Sequence, residues 1–417
     1  MTDGTVLLPA VTIIGAGPAG LTAAAALAPH VAEVFVLERE EVAGGIPRHS
    51  DHTGYGLRDL RRSLRGPVYA ARLVESAMAA GAKVQTEAMV SRLDGNRTLT
   101  VTTPAGVQLV RPRALILATG ARERPRAARL IAGDRPAGVY TTGHLQSLVH
   151  LQHRSPGQHA VVVGAELVSW SAVLTLRHAG CETVLMTTTY DKPESYKAFS
   201  AVGRTLLRVP VAVRSRVISI EGRERVEAVQ VLDTSTGVVQ RVACDTVVLT
   251  GDWVPDNELA RMAGLDLAPG SAGPAVDATL RTSRAGVFAI GNLVHPVDTA
   301  DVAALDGRHV LSGVRRWLDE GDAAPAPEGV RIVVESPLRW IAPSRLRPDD
   351  RGFARGRLLS WCDEFVGVPV VEVRQDGRLL GRTRLPWPAV PGRAFRIPAR
   401  VLDPVNRRGG DVTVRLG

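Results

Sequence analysis

The sequence predicts an α/β protein made of two three-layer units, each a parallel sheet flanked by helices, with a small β-rich domain at the end. Three observations carry this. The run Val11-Thr12-Ile13-Ile14-Gly15-Ala16-Gly17-Pro18-Ala19-Gly20 leads through an Ala-rich segment into Val34-Phe35-Val36-Leu37-Glu38, which reads as strand, glycine turn, helix and strand. The pattern returns in altered form at His159–Ser169 and Thr183–Thr187, with Gly164 standing as far from Thr187 as Gly15 stands from Glu38, 23 positions. Beyond a Pro- and Ala-rich stretch at 323–328, residues alternate as in half-buried strands. The two repeated units are thus Rossmann-like. With 45% of its 417 residues hydrophobic, the chain has material for two or three domains with sizeable cores.

The first turn has the chemistry of a dinucleotide cradle. Gly15 permits the turn, Gly17 lets the backbone approach a pyrophosphate, and Gly20 lets the helix pack on the strand. Pro18 and Ala19 stand at the helix N-terminus, whose free N–H groups and partial positive charge suit phosphate. Glu38 is placed to accept hydrogen bonds from an adenosine ribose.

Residues 41–49, with Gly44-Gly45, read as a loop. Leu57–Leu64 and Pro67–Ala80 carry helical periodicity, the second with Pro67 in its first turn and Gly81 as a stop. Strands are expected at Lys83–Gln85, Val90–Leu93, Thr98–Thr102 and Val107–Val110, a β-meander inserted in the α/β unit. Ala114–Leu117 then ends in Ala118-Thr119-Gly120, small residues at a strand's carboxyl end, where backbone comes close to a ligand. Thr141–Gln152 reads as helix and 154–157 as linker. In the second cradle Glu166 stands where Gly17 stood, Ser169 where Gly20 stood and Thr187 where Glu38 stood. A carboxylate there adds bulk and repels a pyrophosphate, which argues against ordinary NAD(P) binding. A hairpin is expected over 226–242, and Thr246–Leu249 and Val287–Ile290 are short apolar runs closed by glycine. Thr299–Leu318 reads as a helix capped by Asp298 or Thr299. Strands at 331–334, 368–374, 379–384 and 412–416 complete the tail.

The net charge is +9, but the arginines are spread along the chain and only Lys83, Lys192 and Lys197 are lysines. The densest basic run, Arg58 to Arg72, reads as a solvated face, with a docking surface for an acidic protein as the alternative. Nucleic acid is disfavoured because no aromatic residues interleave the charges. Cys181, Cys244 and Cys362 are isolated, without metal spacing, which fits a reducing compartment. There is no basic leader and no run near the ~20 apolar residues of a membrane span, so a cytoplasmic location is expected.

These motifs, in this order, resemble the pyridine nucleotide-disulfide oxidoreductase superfamily of two-domain flavoproteins over residues 1 to about 320. The resemblance implies FAD bound by a domain of two segments, 1–156 and 259–321, with a degenerate NAD(P)-type domain at 157–258 inserted between them; the alternating tail beyond the linker reads as a C-terminal β-rich domain at 329–417. It implies that Gly15, Gly17, Gly20 and Glu38 hold the ADP half, that Gly44 and Gly45 approach the cofactor, and that Thr119 and Gly120 flank it. Gly291 and Asn292 would reach the ribityl or phosphate region, with Asn292 in place of the usual Asp. A helix beginning at Asp298-Thr299 would aim its N-terminus at the flavin pyrimidine. The redox disulfide is missing: Pro47 and His52 stand where one branch carries its cysteines, and no C-x-x-C lies in the inserted domain. Within the superfamily, Gly45–His49, His52–Asp59, Ala118–Pro125, Thr141–Gly143 and Gly291–Pro296 resemble the FAD subunits of bacterial amine and amino-acid dehydrogenase complexes, such as opine oxidase, hydrogen cyanide synthase and dye-linked proline dehydrogenase. This implies an amine or amino-acid substrate and a partner subunit carrying an iron–sulfur cluster or a second flavin, since only Cys362 lies in this chain after the flavin domain.

Flavin accepts hydride, and the protein orients and polarises. His49, His52 and His295, on loops beside cofactor motifs, are the acid/base candidates; the plain alternative for each is a histidine that packs or caps. His49-x-x-His52 lacks further ligands for a metal. Three functions compete: a flavoprotein subunit oxidising amines or amino acids, a free-standing NAD(P)H-dependent flavin oxidoreductase, and a non-catalytic FAD-binding scaffold.

Overall fold

The computed structural model describes residues 6–196, 207–321, 329–350 and 352–417. A five-stranded parallel sheet runs in the order Val287–Ala289, Ala114–Leu117, Val11–Ile14, Val34–Leu37, Lys83–Gln85. Every residue of Val11–Ile14 and Ala114–Leu117 is buried, as befits strands covered on both faces. A second parallel sheet lies between these segments in the chain, ordered Val139–Thr141, Thr246–Leu249, His159–Val163, Glu182–Thr187, Val211–Ala212. Its edge strand Val139–Thr141 lies upstream of residue 157. The antiparallel ribbon of Ala121–Glu123 with Trp253–Pro255 marks both crossings between the units.

In the first unit, helix Pro18–Leu27 crosses helix Ala300–Glu320 at contact distance. A Cβ added at Gly307 would lie 2.4 Å from the Ala19 carbonyl oxygen and 2.6 Å from the Ala23 nitrogen, so only glycine permits this approach. Of the four strands expected in a meander, three form it, Met89–Leu93, Leu99–Thr103 and Gly106–Val110, while Lys83–Gln85 pairs in parallel with Val34–Leu37 at the edge of the main sheet. In the second unit, helix Leu167–His178 covers one sheet face and the strands Ser215–Glu221, Ala228–Asp233 and Val239–Ala243 cover the other.

Two expected helices differ. Leu57–Leu64 is a set of turns ending in a short strand, Leu64–Arg65, paired with Thr53–Tyr55. Buried Asp59 overrides the periodicity: its carboxylate accepts the Tyr69 hydroxyl (2.7 Å) and the Leu60 N–H (2.9 Å), while Leu57 is exposed. The helix at 141–152 is α-helical only over Thr142–Gln146 and widens to a π-helical turn over Ser147–Leu151.

The C-terminal domain is two small sheets around an apolar core; the expected linker at 323–328 lies outside the described residues. Ion pairs fasten this domain to the first unit: Arg281 meets Asp349 and Asp350, and Arg355 meets Asp306. Among the described residues no helix is long and apolar enough to cross a membrane.

Candidate functional site

A cavity of about 2360 Å³ opens between the first cradle, the second unit and the C-terminal domain. The first cradle forms its floor. Gly15 has φ +104°, its N–H donates to the Leu37 carbonyl (2.8 Å), and a Cβ there would sit 2.5 Å from the Ala118 oxygen. At Gly20 a Cβ would lie 2.0 Å from the Gly15 oxygen, whereas at Gly17 it would meet nothing within 4 Å. Two glycines therefore close the turn, and Gly17 presents bare backbone to the cavity beside Pro18 and Ala19. Glu38 is buried at the cavity edge, its carboxylate accepting the Ala16 N–H (2.8 Å) and the Glu40 N–H (2.9 Å), with lone pairs left for a ligand hydroxyl.

Gly45 lies over Gly17, where a Cβ would come 2.9 Å from the Gly17 Cα, and lines the cavity; Gly44 instead faces Ala70 of helix Gly66–Ala79. Thr119 and Gly120 line the opposite side, with the Thr119 hydroxyl donating to the Asp256 carbonyl (2.7 Å). Gly291 packs on Ala19 away from the cavity and donates its N–H to Asp306 (3.1 Å). Asn292 does line the cavity, and its side chain bridges the backbone N–H and carbonyl of Asp298, both at 3.1 Å. Asp298 accepts the Thr299 N–H (2.7 Å) with one oxygen, while the other, Oδ2, is buried without a partner among the described residues. Thr299 is the N-cap of helix Ala300–Glu320, whose first turn reaches the cavity.

The histidines separate. His49 lines the cavity, its Nδ1 buried and without a partner among the described residues; burial, then the charges of Arg48 and His150, lower its pKa to about 4, so it is neutral at physiological pH. His52 also lines it, its Nδ1 2.8 Å from the Thr53 carbonyl and its ring against Tyr55. His295 does not reach the cavity. It is buried with Nε2 2.7 Å from Asp306 Oδ2. Burial alone would raise the Asp306 pKa, but His295, Arg355 and the Gly291 N–H hold it well below the usual carboxylate range. Asp306 was missed by motif reasoning; its signal is a charge in the apolar phase of a helix, in step with Ala303 and Val310.

The second cradle is filled by protein. Glu166 is buried, its Oε1 without a partner among the described residues, and Gly251 and Gly164 crowd its carboxylate. The Ser195 N–H donates to the Ala165 carbonyl (3.2 Å), and the Trp170 indole donates to the Ser195 hydroxyl (3.0 Å), drawing 194–195 over the turn. From the C-terminal domain, Gly392 sits against both Glu166 and Glu194: a Cβ there would lie 2.8 Å from each of theirs. Burial, then the charge of Glu166, raises the Glu194 pKa to about 8. Neither Glu194 nor Gly392 carried a sequence signal, because their role exists only through a contact between domains.

The three cysteines are buried and unpaired, and burial raises Cys181 to about 12 and Cys244 to about 11, so neither is a ready thiolate. A polar chain links the units across the cavity: Gln146 Nε2 donates to Ser50 (3.2 Å) and to Ser171 (2.8 Å). The residues present fit FAD: an open backbone at Gly17 and Gly120, a carboxylate at ribose distance in the motif, and an orphaned carboxylate oxygen beside a helix N-terminus.

The sequence profile of the family described as pyridine nucleotide-disulphide oxidoreductase matches residues 9–307. Among curated relatives, an opine oxidase subunit from Rhizobium meliloti (strain 1021) is 27% identical over 344 residues, covering 74% of this chain and 72% of that protein. The biphenyl dioxygenase system ferredoxin–NAD(+) reductase component of Paraburkholderia xenovorans is 31% identical over 301 residues, 69% of this chain and 68% of that one. Among solved structures, Lactococcus lactis thioredoxin reductase superposes with a TM-score of 0.63 at 20% identity, over 75% of this chain and all of that one. The L-proline dehydrogenase of P. horikoshii gives 0.58 at 19% identity, over 78% of this chain and 58% of that one.

Proposed function

The chain belongs to the pyridine nucleotide-disulphide oxidoreductase family, whose cofactor is FAD, and from that premise we propose that it is the flavoprotein subunit of a complex that oxidises an amine or amino acid. The observation that carries this reading is the filled second cradle. Glu166 in a glycine's place, packed with Glu194 against the Gly392 turn, argues against a nicotinamide dinucleotide's pyrophosphate there and supports entry of electrons from another reductant. The opine oxidase relative supports an amine or amino-acid substrate. The buried, separate cysteines leave no internal dithiol to pass electrons through.

FAD, when bound, supplies a hydride acceptor. Gly15 to Gly20 and Glu38 would hold its adenosine and phosphates, Gly45, Thr119 and Gly120 would flank it, and Asn292 with Asp298 would bond its polar chain. The first turn of helix Ala300–Glu320 directs a partial positive charge into the cavity, favouring negative charge on whatever lies there. Asp301 at that turn is balanced by Arg58 at 3.2 Å. His49, neutral with a pKa near 4, holds a captured proton poorly at neutral pH, so it lines the cavity as a polar wall group rather than as a strong base. His295 acts through Asp306, which fixes the Gly291 N–H and hence the loop carrying Asn292.

Anaerobic stopped-flow mixing of the FAD-loaded protein with NADH, NADPH and a panel of amines and amino acids tests this. Bleaching of the flavin by an amine or amino acid, and none by the nicotinamides, is the expected result. Rapid bleaching by NADH or NADPH overturns it in favour of a pyridine-nucleotide reductase.

A further inference from the structure

The cavity is larger than a single ligand requires. Pockets for small ligands hold roughly 300–1,000 Å³, and this one holds about 2360 Å³. One of its walls is built by the C-terminal domain, at 357, 365–367 and 387–396, beyond residue 307 where the family match ends. The charged side chains on that wall are Arg357, Arg393 and Arg396, and no carboxylate lies among them. None of the three forms an ion pair among the described residues. Aromatic rings line the same side of the cavity: the Arg393 guanidinium lies 4.3 Å over the Tyr196 ring, and the Trp387 indole donates to the Arg396 carbonyl (2.9 Å). Glu194 faces the same space. Burial and the neighbouring Glu166 raise its pKa to about 8, so at neutral pH it is mostly a protonated acid and does not cancel the arginines.

We propose that the C-terminal domain forms the carboxylate-binding half of the reductant site, and that the reductant is an amino acid or N-substituted amino acid with an apolar side chain. This rests on the amine-oxidising reading above. An arginine fork takes a carboxylate in two parallel hydrogen bonds, which a lysine or a helix end does not. The rings of Trp387 and Tyr196 receive the apolar body, and the nitrogen end points away from the arginines, toward the first cradle. A domain without a ligand motif of its own thereby sets the substrate class.

Equilibrium dialysis of labelled phenylacetate against the FAD-loaded full chain tests the assignment, with benzylamine, inorganic phosphate and NADPH as competitors. Phenylacetate binds; R393A and R396A each weaken it on the order of 10–100-fold, the loss of a charge-assisted pair; R396K restores part; and the competitors displace little. Flavin absorbance of the variants confirms that the first unit is intact, and the competition on the unmodified chain needs no variant. Absence of binding, unchanged affinity in both variants, or displacement by benzylamine, phosphate or NADPH at concentrations equal to phenylacetate overturns the proposal. If phenylacetate binds as stated but no amino acid bleaches the flavin, the amine-oxidising reading falls and the anion site stands. If amino acids bleach the flavin of the R393A/R396A double variant at unchanged KM, the reading stands and the anion site falls.

Discussion

At the scale of single residues, two buried carboxylates have opposite pH signatures. Asp306 is held below its ordinary pKa, so it stabilises the fold above about pH 4 and that contribution is lost as pH falls further toward its native-state value. Asp306→Ala strands His295 and the Gly291 N–H, and breaking such a buried pair costs about 3–5 kcal/mol. Chemical denaturation at pH 7 reads that loss, and the variant's stability changes less than the parent's between pH 4 and pH 2. Glu194 is held above its ordinary pKa, so the folded state keeps a proton that the unfolded chain releases. Its stabilisation is complete below about pH 4.5 and disappears as pH rises to about 8. Glu194→Gln therefore flattens the stability profile between those values and is more stable than the parent at pH 9, by an amount on the order of a few kcal/mol; a parent and variant with parallel profiles would show that no such proton is held. Gly15 and Gly20 were legible in the sequence because a tight turn demands one residue type at one spacing, whereas Gly44 and Gly291, expected beside a cofactor, face Ala70 and Ala19. Sequence reasoning could not reach Glu194, which matters only for what a distant segment lays against it.

At the scale of elements, the first unit depends on a glycine crossing. Gly307→Ala drives a methyl toward Ala19 and Ala23, and overpacking of this kind costs about 1–3 kcal/mol. Because Ala19 belongs to the cradle, the displaced helix also moves Gly17, so bound flavin per chain falls together with the thermal midpoint. Gly381→Ala, where a Cβ meets nothing within 4 Å and which does not line the cavity, leaves both unchanged and serves as the control. Elements with one period and one environment were legible: Val11–Ile14, Pro18–Leu27, Ala114–Leu117 and the helix from Ala300 are where their patterns place them. Leu57–Leu64 was not, because its leucines do not share a buried face and Asp59 organises the segment from inside.

At the scale of the whole molecule, the damage in the second cradle is legible as a glutamate in a glycine's place, but its completeness is not. Two features crowd the cradle: Glu166 in a glycine's place, and the Gly392 turn of a C-terminal domain that ion pairs of Arg281 and Arg355 tie to the first unit. These two features predict different behaviour when one is removed. Glu166→Gly restores the glycine spacing of a working cradle and deletes the repelling charge, so if the sequence lesion alone excluded the dinucleotide, the variant would gain NADPH-driven bleaching of its flavin. The Gly392 turn and Glu194 stay in place, however, and a pyrophosphate needs the volume they fill. The expected outcome is that Glu166→Gly binds NADPH no better than the parent by equilibrium dialysis and that its flavin stays oxidised in stopped-flow mixing. Tight NADPH binding by that single variant would place the whole block at one side chain and remove the C-terminal domain from the account of what this cavity admits.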